Sequence, residues 1–304
     1  MTKWTTSHIP SQRGRTVVVT GPGGLGFEDA LALAKAGASV ILSGRNPQKG
    51  DEAVAAIRKA SPSANVRFEL IDLANLASVH AFADRLKGQL DSLDLLINNA
   101  GVMTPPQRQT TADGFELQLG ANHLGHFALT EGLLPLLKKG DGPRMVSVSS
   151  IAARQGVIDF DDLNAEQSYR PMRVYAQSKL ACLMFALEFE RRSRKAGWGV
   201  LGLAAHPGVS RTQLLFNTPG GHPMRGARSA LWFLFQPVAR GALPTLFAAT
   251  ADEAAGGAYY GPDGLAELRG RPAVARIPPA ALDIAAAARL WDVSEQLTGV
   301  RFEE

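Results

Sequence analysis

TVVVTGPGGLGFEDALALAKAG, residues 16–37, sets a β-branched run against a glycine-rich turn and then a stretch of helical period. A buried strand feeding such a turn, which in its turn opens a helix, is the first half of a βαβ unit. Glycines let backbone approach a pyrophosphate, and the unpaired N–H groups and dipole of the helix favour an anion there. Gly21, Gly23 and Gly26 satisfy the spacing G-x-G-x-x-G, with Gly24 and Leu25 between them. A plain tight connection between strand and helix produces the same pattern, so the loop by itself leaves both readings open.

The alternation continues outward. Apolar runs at residues 39–43, 66–70, 93–98, 144–149 and 200–205 read as further strands, with helices over 25–36, 48–60, 76–89, 112–138 and 175–196. Gly37 is placed as a helix C-cap, and Pro135 ends or kinks the fourth helix. Runs that are apolar throughout suit a sheet covered on both faces. The fold class expected is α/β, a doubly wound parallel sheet of Rossmann type. With no repeat and no Pro/Ser linker, the economical organisation is a polar N-terminal segment over 1–14 and a single dinucleotide-binding domain over 15–304. Within that domain, residues 210–237 form a substrate lid or loop and 262–304 a C-terminal extension.

Composition narrows the function classes. The 304 residues carry 32 Lys plus Arg against 28 Asp plus Glu, a net charge of +4, with 45% apolar residues. That is a globular chain, too weakly charged to leave a nucleic-acid footprint. A single cysteine, Cys182, excludes an intrachain disulfide and fits a reducing compartment. The N-terminal residues hold no apolar signal core, and the stretch ALWFLF at 230–235 is far short of the ~20 residues of a spanning helix. A cytoplasmic protein without a transmembrane segment is expected.

Chemistry gathers at the strand ends. The second strand runs into Ser43, Gly44, Arg45 and Asn46. A carboxylate there would bind the adenosine 2′-hydroxyl of NAD(H), whereas a basic group pairs with a 2′-phosphate, so Arg45 favours NADP(H) over NAD(H). Tyr175 and Lys179, in YAQSK, project from one face of a helix one turn apart, where the cation stabilises a phenolate and makes the tyrosine a usable proton donor or acceptor. Ser149 and Ser150 close the fifth strand, NNAG (98–101) the fourth and HPG (206–208) the sixth. Each is unremarkable alone; together they line the carboxyl edge where open α/β sheets bind ligands.

On these motifs (TGPGGLG, Asp72-Leu73, NNAG, NHLGHF, SVSS, YAQSK and HPG) the chain from Arg15 onward resembles the short-chain dehydrogenase/reductase family, in its retinol dehydrogenase-like branch. The resemblance implies that Tyr175 is the acid/base, Lys179 binds the nicotinamide ribose, Ser150 polarises the carbonyl, and Asn122 holds a water linking Lys179 to solvent. It assigns cofactor contacts to Gly21, Gly23, Gly24, Leu25, Gly26, Arg45, Asn46, Asp72, Leu73, Asn99, Ala100, Gly101, Pro207, Gly208 and Thr212. Residues 151–174 look like the insertion of that branch. Such relatives pair through helices near Ala112 and Tyr175, so a homodimer or homotetramer is expected. The glycine loop departs from the family: two residues, Pro22 and Gly23, separate Gly21 from Gly24, where the family has three.

The expected activity is NADP(H)-dependent exchange of hydride with a carbonyl or alcohol, as reduction of a bulky apolar ketone or aldehyde. A carbon–carbon double-bond reductase and a catalytically silent nucleotide-binding relative remain as alternatives. His123 and His126 stand three apart, but no third ligand is close in sequence and no metal is expected. Cys182 reads as a structural thiol, RRSRK (191–195) as a solvated helix end, and Trp232, Phe233 and Phe235 as a packed helix, a pocket wall or a membrane contact.

Overall fold

The computed structural model describes residues 4–209 and 236–303. Strands β1 (Thr16–Thr20), β2 (Ser39–Gly44), β3 (Asn65–Leu70), β4 (Leu95–Asn98), β5 (Arg144–Val148), β6 (Leu201–Ala205), β7 (Tyr259–Pro262) and β8 (Pro272–Val274) form one sheet in the order β3-β2-β1-β4-β5-β6-β7-β8. All neighbours pair in parallel except β7 with β8. This is a Rossmann-like α/β fold. Strand order reverses between β1 and β4, which opens a crevice at their carboxyl ends.

Period-two alternation splits the apolar strands between two cores. Val18, Ile41, Leu96 and Met145 face one side, where they meet Phe82, Phe127, Leu183 and Trp291. Val17, Val19, Val40, Leu42, Leu95, Ile97, Val146 and Val148 face the other, against Leu33, Ile57 and Leu246. Helices α3 (Leu76–Gln89), α4 (Gly125–Leu137), α5 (Pro171–Ala196) and α7 (Ile284–Thr298) cover the first face. The second is covered by α1 (Leu25–Lys35), α2 (Pro47–Ala60) and α6 (Leu243–Thr250). Side chains on both faces explain why these strands read as continuous apolar runs.

The helix expected over 112–138 starts later. Thr110 bridges to Glu116, Ala112 N donates to Ala74 O (2.9 Å), and the Glu116 carboxylate then caps a short turn at Leu117–Leu119. A π-helical turn, Gly120–Leu124, leads into α4, which ends two residues after Pro135. Gly37 sits at φ +101°, just past α1, as expected of a residue that stops a helix. The N-terminal segment is more than a polar cover, since Trp4 is buried edge-on against Phe247 with ring centroids 5.4 Å apart. The C-terminal extension is likewise built into the core. It contributes β8 and α7, and Trp291 and Phe302 meet at 4.5 Å within the aromatic cluster of Phe127, Phe185 and Phe189. No helix among the described residues is long and apolar enough to cross a membrane.

Asp29 stands against this packing. It lies on the buried side of α1 at 0% exposure, and neither carboxylate oxygen has a hydrogen-bond partner among the described residues. Burial, with the charge of Glu28 as a smaller contribution, holds its carboxyl well above the usual range. A folded-state pKa above the unfolded value means that rising pH costs stability, from the ordinary carboxylate range upward through the folded value. Asp29→Ala is expected to raise stability by about 1–3 kcal/mol at pH 7.5, with a smaller gain near pH 4, in urea melts at the two pH values. An unchanged or lower midpoint at pH 7.5 would show that the carboxylate is satisfied.

Candidate active site

The floor of the crevice is a hydrogen-bond hub on Thr20, whose side chain is fully buried at the end of β1. Its hydroxyl oxygen accepts the backbone N–H groups of Asn99 and Ala100, each at 2.9 Å, while Asn99 Nδ2 donates to Thr20 O at 2.7 Å. The same hydroxyl lies 2.9 Å from His126 Nε2, and His126 Nδ1 lies 2.9 Å from Asn122 O. A carbonyl only accepts, so Nδ1 carries the proton and Nε2 accepts a hydrogen bond from the Thr20 hydroxyl. Burial, reinforced by the Lys179 charge, pushes His126 down to about 4 and keeps the ring neutral. His126 thus belongs to the site's framework, a role its spacing from His123 does not reveal.

The shortened glycine loop closes by resting Pro22 on the end of β2. A Cβ built on Gly44 would stand 2.7 Å from Pro22 Cδ, and one on Gly26 2.1 Å from Gly21 O. Gly21 (φ +90°) and Gly24 (φ +55°) occupy backbone that side chains disfavour, whereas Gly23 is exposed to open space. Among the described residues no backbone acceptor takes the N–H groups of Gly23 or Gly24. Leu25 and Gly26 are buried in the first turn of α1.

At the tip of β2 the two expected residues separate. Asn46 is committed to α2, its side chain accepting Lys49 N at 3.0 Å, while Arg45 is exposed and has no partner among the described residues. Asp72 also has a local task, accepting Ala74 N at 3.0 Å, and Leu73 O lies where a Cβ on Gly125 would meet it at 2.3 Å.

Lys179, Asn122 and Gly101 come together at the centre. A Cβ on Gly101 would stand 3.1 Å from Asn122 Oδ1 and 3.4 Å from Lys179 Nζ. The Asn122 side chain is fixed on three sides, accepting Val102 N (2.6 Å) and donating to Val102 O and Ser178 Oγ (2.9 Å each). Its carbonyl is displaced by the π turn, in which Gly125 N reaches back to Gly120 O. That carbonyl accepts from His126 Nδ1 and from Cys182 Sγ at 3.1 Å. The Cys182 thiol is pushed up by burial and so remains a donor. The sequence places Cys182 two turns beyond Tyr175 but does not expose this link.

Lys179 is 5% exposed and donates to Val148 O at 3.0 Å, while Tyr175, one turn earlier on α5, is 9% exposed. The two serines divide their work. Ser149 is buried and donates to Lys179 O at 2.6 Å, whereas Ser150 accepts Ala152 N at 3.2 Å and keeps its own proton for another acceptor. Within residues 151–174, Tyr169, pushed up to about 12 by burial and by Glu116, donates to Pro105 O at 2.7 Å. At the end of β6, Pro207 O accepts Gln236 Nε2 (2.6 Å), and Gly208 adopts φ +62°. Residues 210–235, Thr212 among them, lie outside the described residues, and with them all but the last two residues of the expected lid, and the three aromatics.

Residues 15–219 match the model of the short chain dehydrogenase family. The chain is 41% identical to human retinol dehydrogenase 13 over 295 residues, covering 94% of this chain and 85% of that protein. It is 39% identical to mouse polyprenol dehydrogenase over 299 residues, covering 96% and 86%. Among solved structures it resembles an uncharacterised protein from Mycobacterium paratuberculosis at 39% identity and a TM-score of 0.83, with both chains fully covered. A short chain dehydrogenase from Shigella flexneri 2a, solved as a complex with NADP, shares the fold at 23% identity, a TM-score of 0.63 and coverage of 82% and 97%. By family match and by these identities, the chain belongs to the short-chain dehydrogenase/reductase family of oxidoreductases.

Proposed function

We propose that the protein is an NADP(H)-dependent carbonyl reductase for bulky apolar aldehydes or ketones. The observation that carries this reading is the setting of Lys179. Its buried ammonium is tied to Val148 O, two residues before Ser150, and stands beside Gly101 on the helix that carries Tyr175 one turn earlier. One donor of three is committed to that carbonyl, which leaves the others for the ribose of a nicotinamide cofactor.

The cradle suits such a cofactor. Glycines 21, 26 and 101 let Asn99, Gly21 O and Asn122 approach where a Cβ would collide or crowd, which brings the backbone of the crevice close together, and the Gly23 and Gly24 amides are open at the start of α1, where an anion is favoured. Arg45 offers its guanidinium to a 2′-phosphate, and Asp72, Leu73, Asn99, Ala100, Pro207 and Gly208 line the remaining edge. When bound, the nicotinamide supplies the hydride in reduction and accepts it in oxidation. The chain supplies the proton chemistry. Ser150 donates its hydroxyl proton in a hydrogen bond to the carbonyl oxygen, and Tyr175 transfers its proton to that oxygen as it becomes an alcohol. Lys179 holds Tyr175 in a positive field, and Asn122 fixes the wall at Val102 and Ser178. The substrate class follows the activities named for the relatives, since retinol and polyprenol are both isoprenoid alcohols.

Tyr175→Phe is expected to lower kcat for retinaldehyde reduction by about 10²–10⁴-fold, with NADPH binding by nicotinamide fluorescence changed by no more than a few-fold. Ordinary turnover in that variant would sink the assigned chemistry. Arg45→Ala should weaken NADPH binding by about tenfold or more, the value of a charge-assisted pair, and leave NADH binding unaltered. Equal losses for both cofactors would remove Arg45 as the reader of the phosphate.

A further inference from the structure

The C-terminal extension returns to the active-site edge in one turn, residues 264–268, that the proposed chemistry does not use. Ala266 (φ +51°) and Glu267 (φ +59°) are consecutive non-glycine residues in the left-handed region. Such a pair persists only where its surroundings over-determine it. The surroundings here are specific. Glu267 Oε2 receives His206 Nε2 at 2.9 Å and Arg154 Nη2 at 2.6 Å, while Oε1 accepts Arg276 N at 3.0 Å. Arg154 also donates to Ala266 O at 3.0 Å.

The partners belong to the turns that follow two neighbouring strands, β5 and β6. Arg154 belongs to the 3₁₀ turn Ile151–Gln155, which Ser150 caps with its hydroxyl. His206 opens HPG. Gly208 N donates to His206 Nδ1 at 3.2 Å, so the ring is neutral with its proton on Nε2, directed at Glu267. The turn also presses on HPG itself: Val209 N donates to Leu268 O at 2.7 Å, and a Cβ on Gly208 would stand 2.4 Å from that same oxygen. Gly261 lets the His206 ring lie against β7, where a Cβ would stand 2.0 Å from Nε2. Tyr259, in the same strand, has its hydroxyl 3.4 Å from Ser150 O. Burial opposes the charge on Glu267, but the His206 and Arg276 hydrogen bonds and the Arg154 charge hold it down at about 2, so the carboxylate is ionised throughout the working range.

We propose that Glu267 is a positioning residue that clamps the Ser150 turn and the HPG turn to one another. It sets the distance between the hydroxyl that meets the substrate oxygen and the backbone that meets the nicotinamide. The proposal rests on the reductase reading above. It assigns the C-terminal extension a part in catalysis that no motif of the nucleotide-binding core carries.

The test uses the full chain and Glu267→Gln, which preserves shape and an acceptor for His206 but removes the charge that holds Arg154. Expected are a fall in kcat for retinaldehyde of tenfold or more and a several-fold rise in KM for NADPH, with the melting temperature within a few degrees of the parent. Arg154→Met, on the other end of the ion pair, should reproduce the effect, and the double variant should be no worse than either single one. Amide hydrogen exchange should quicken in both 150–156 and 206–209 in either variant, a readout that needs no turnover. Kinetics within twofold of the parent, additive losses, or quickened exchange at one turn alone would overturn the clamp. A parent that turns over no carbonyl with NADPH defeats the reductase reading instead, and the exchange result then decides the clamp by itself.

Discussion

The Thr20 hydroxyl is the contact on which the site depends. One buried oxygen at the end of β1 receives the amides of Asn99 and Ala100 and donates a hydrogen bond to His126, whose other nitrogen donates to the Asn122 carbonyl. Three strand and helix ends are thereby set relative to one another by hydrogen bonds that water does not contest. A single hydroxyl serves them all because it accepts twice and donates once. A neutral His126 is a condition of the arrangement: a second ring proton would face the Thr20 oxygen in a site where burial penalises charge.

From that hub the geometry of the proposed site follows by short steps. The π turn of Gly120–Leu124 displaces the Asn122 carbonyl from the helical ladder, and His126 and Cys182 satisfy it. Both protein donors fall on the backbone carbonyl of Asn122, the residue to which the resemblance assigns a water, so the framework around Asn122 is tighter than the motif alone implies. The Asn122 side chain meanwhile holds Val102 on one side and Ser178 on the other. This joins the loop after β4 to α5, the helix that carries Tyr175 and Lys179.

The short glycine loop is accommodated locally. Pro22 has no amide to offer a ligand, and its ring fills the space above Gly44 that a side chain would otherwise take. The lost residue is therefore absorbed between β1 and β2, leaving the Gly23 and Gly24 amides open at the head of α1. Asp29, one turn further on, is the point where this helix departs from an apolar core without a visible partner.

Periodicity and turn chemistry were enough to write down six of the eight strands among the described residues, α1, α2, α3 and α5, and the edge on which the polar residues gather. Those features are local: β-branched runs, glycine at the helix ends, and a tyrosine and lysine one turn apart declare themselves within a few residues of chain. What the sequence withheld depends on contacts between distant segments. The late start of the helix after Ala112 comes from pairing of Thr110 with Glu116, and β7 and β8 are too short to show a period. The division of labour between Ser149 and Ser150 depends on which hydroxyl meets Lys179 O. The roles of His126 and Cys182, and the meeting of Glu267 with His206 and Arg154, were likewise decided only by tertiary structure. A hydrogen-bond partner 60 or 112 residues away leaves no spacing to read.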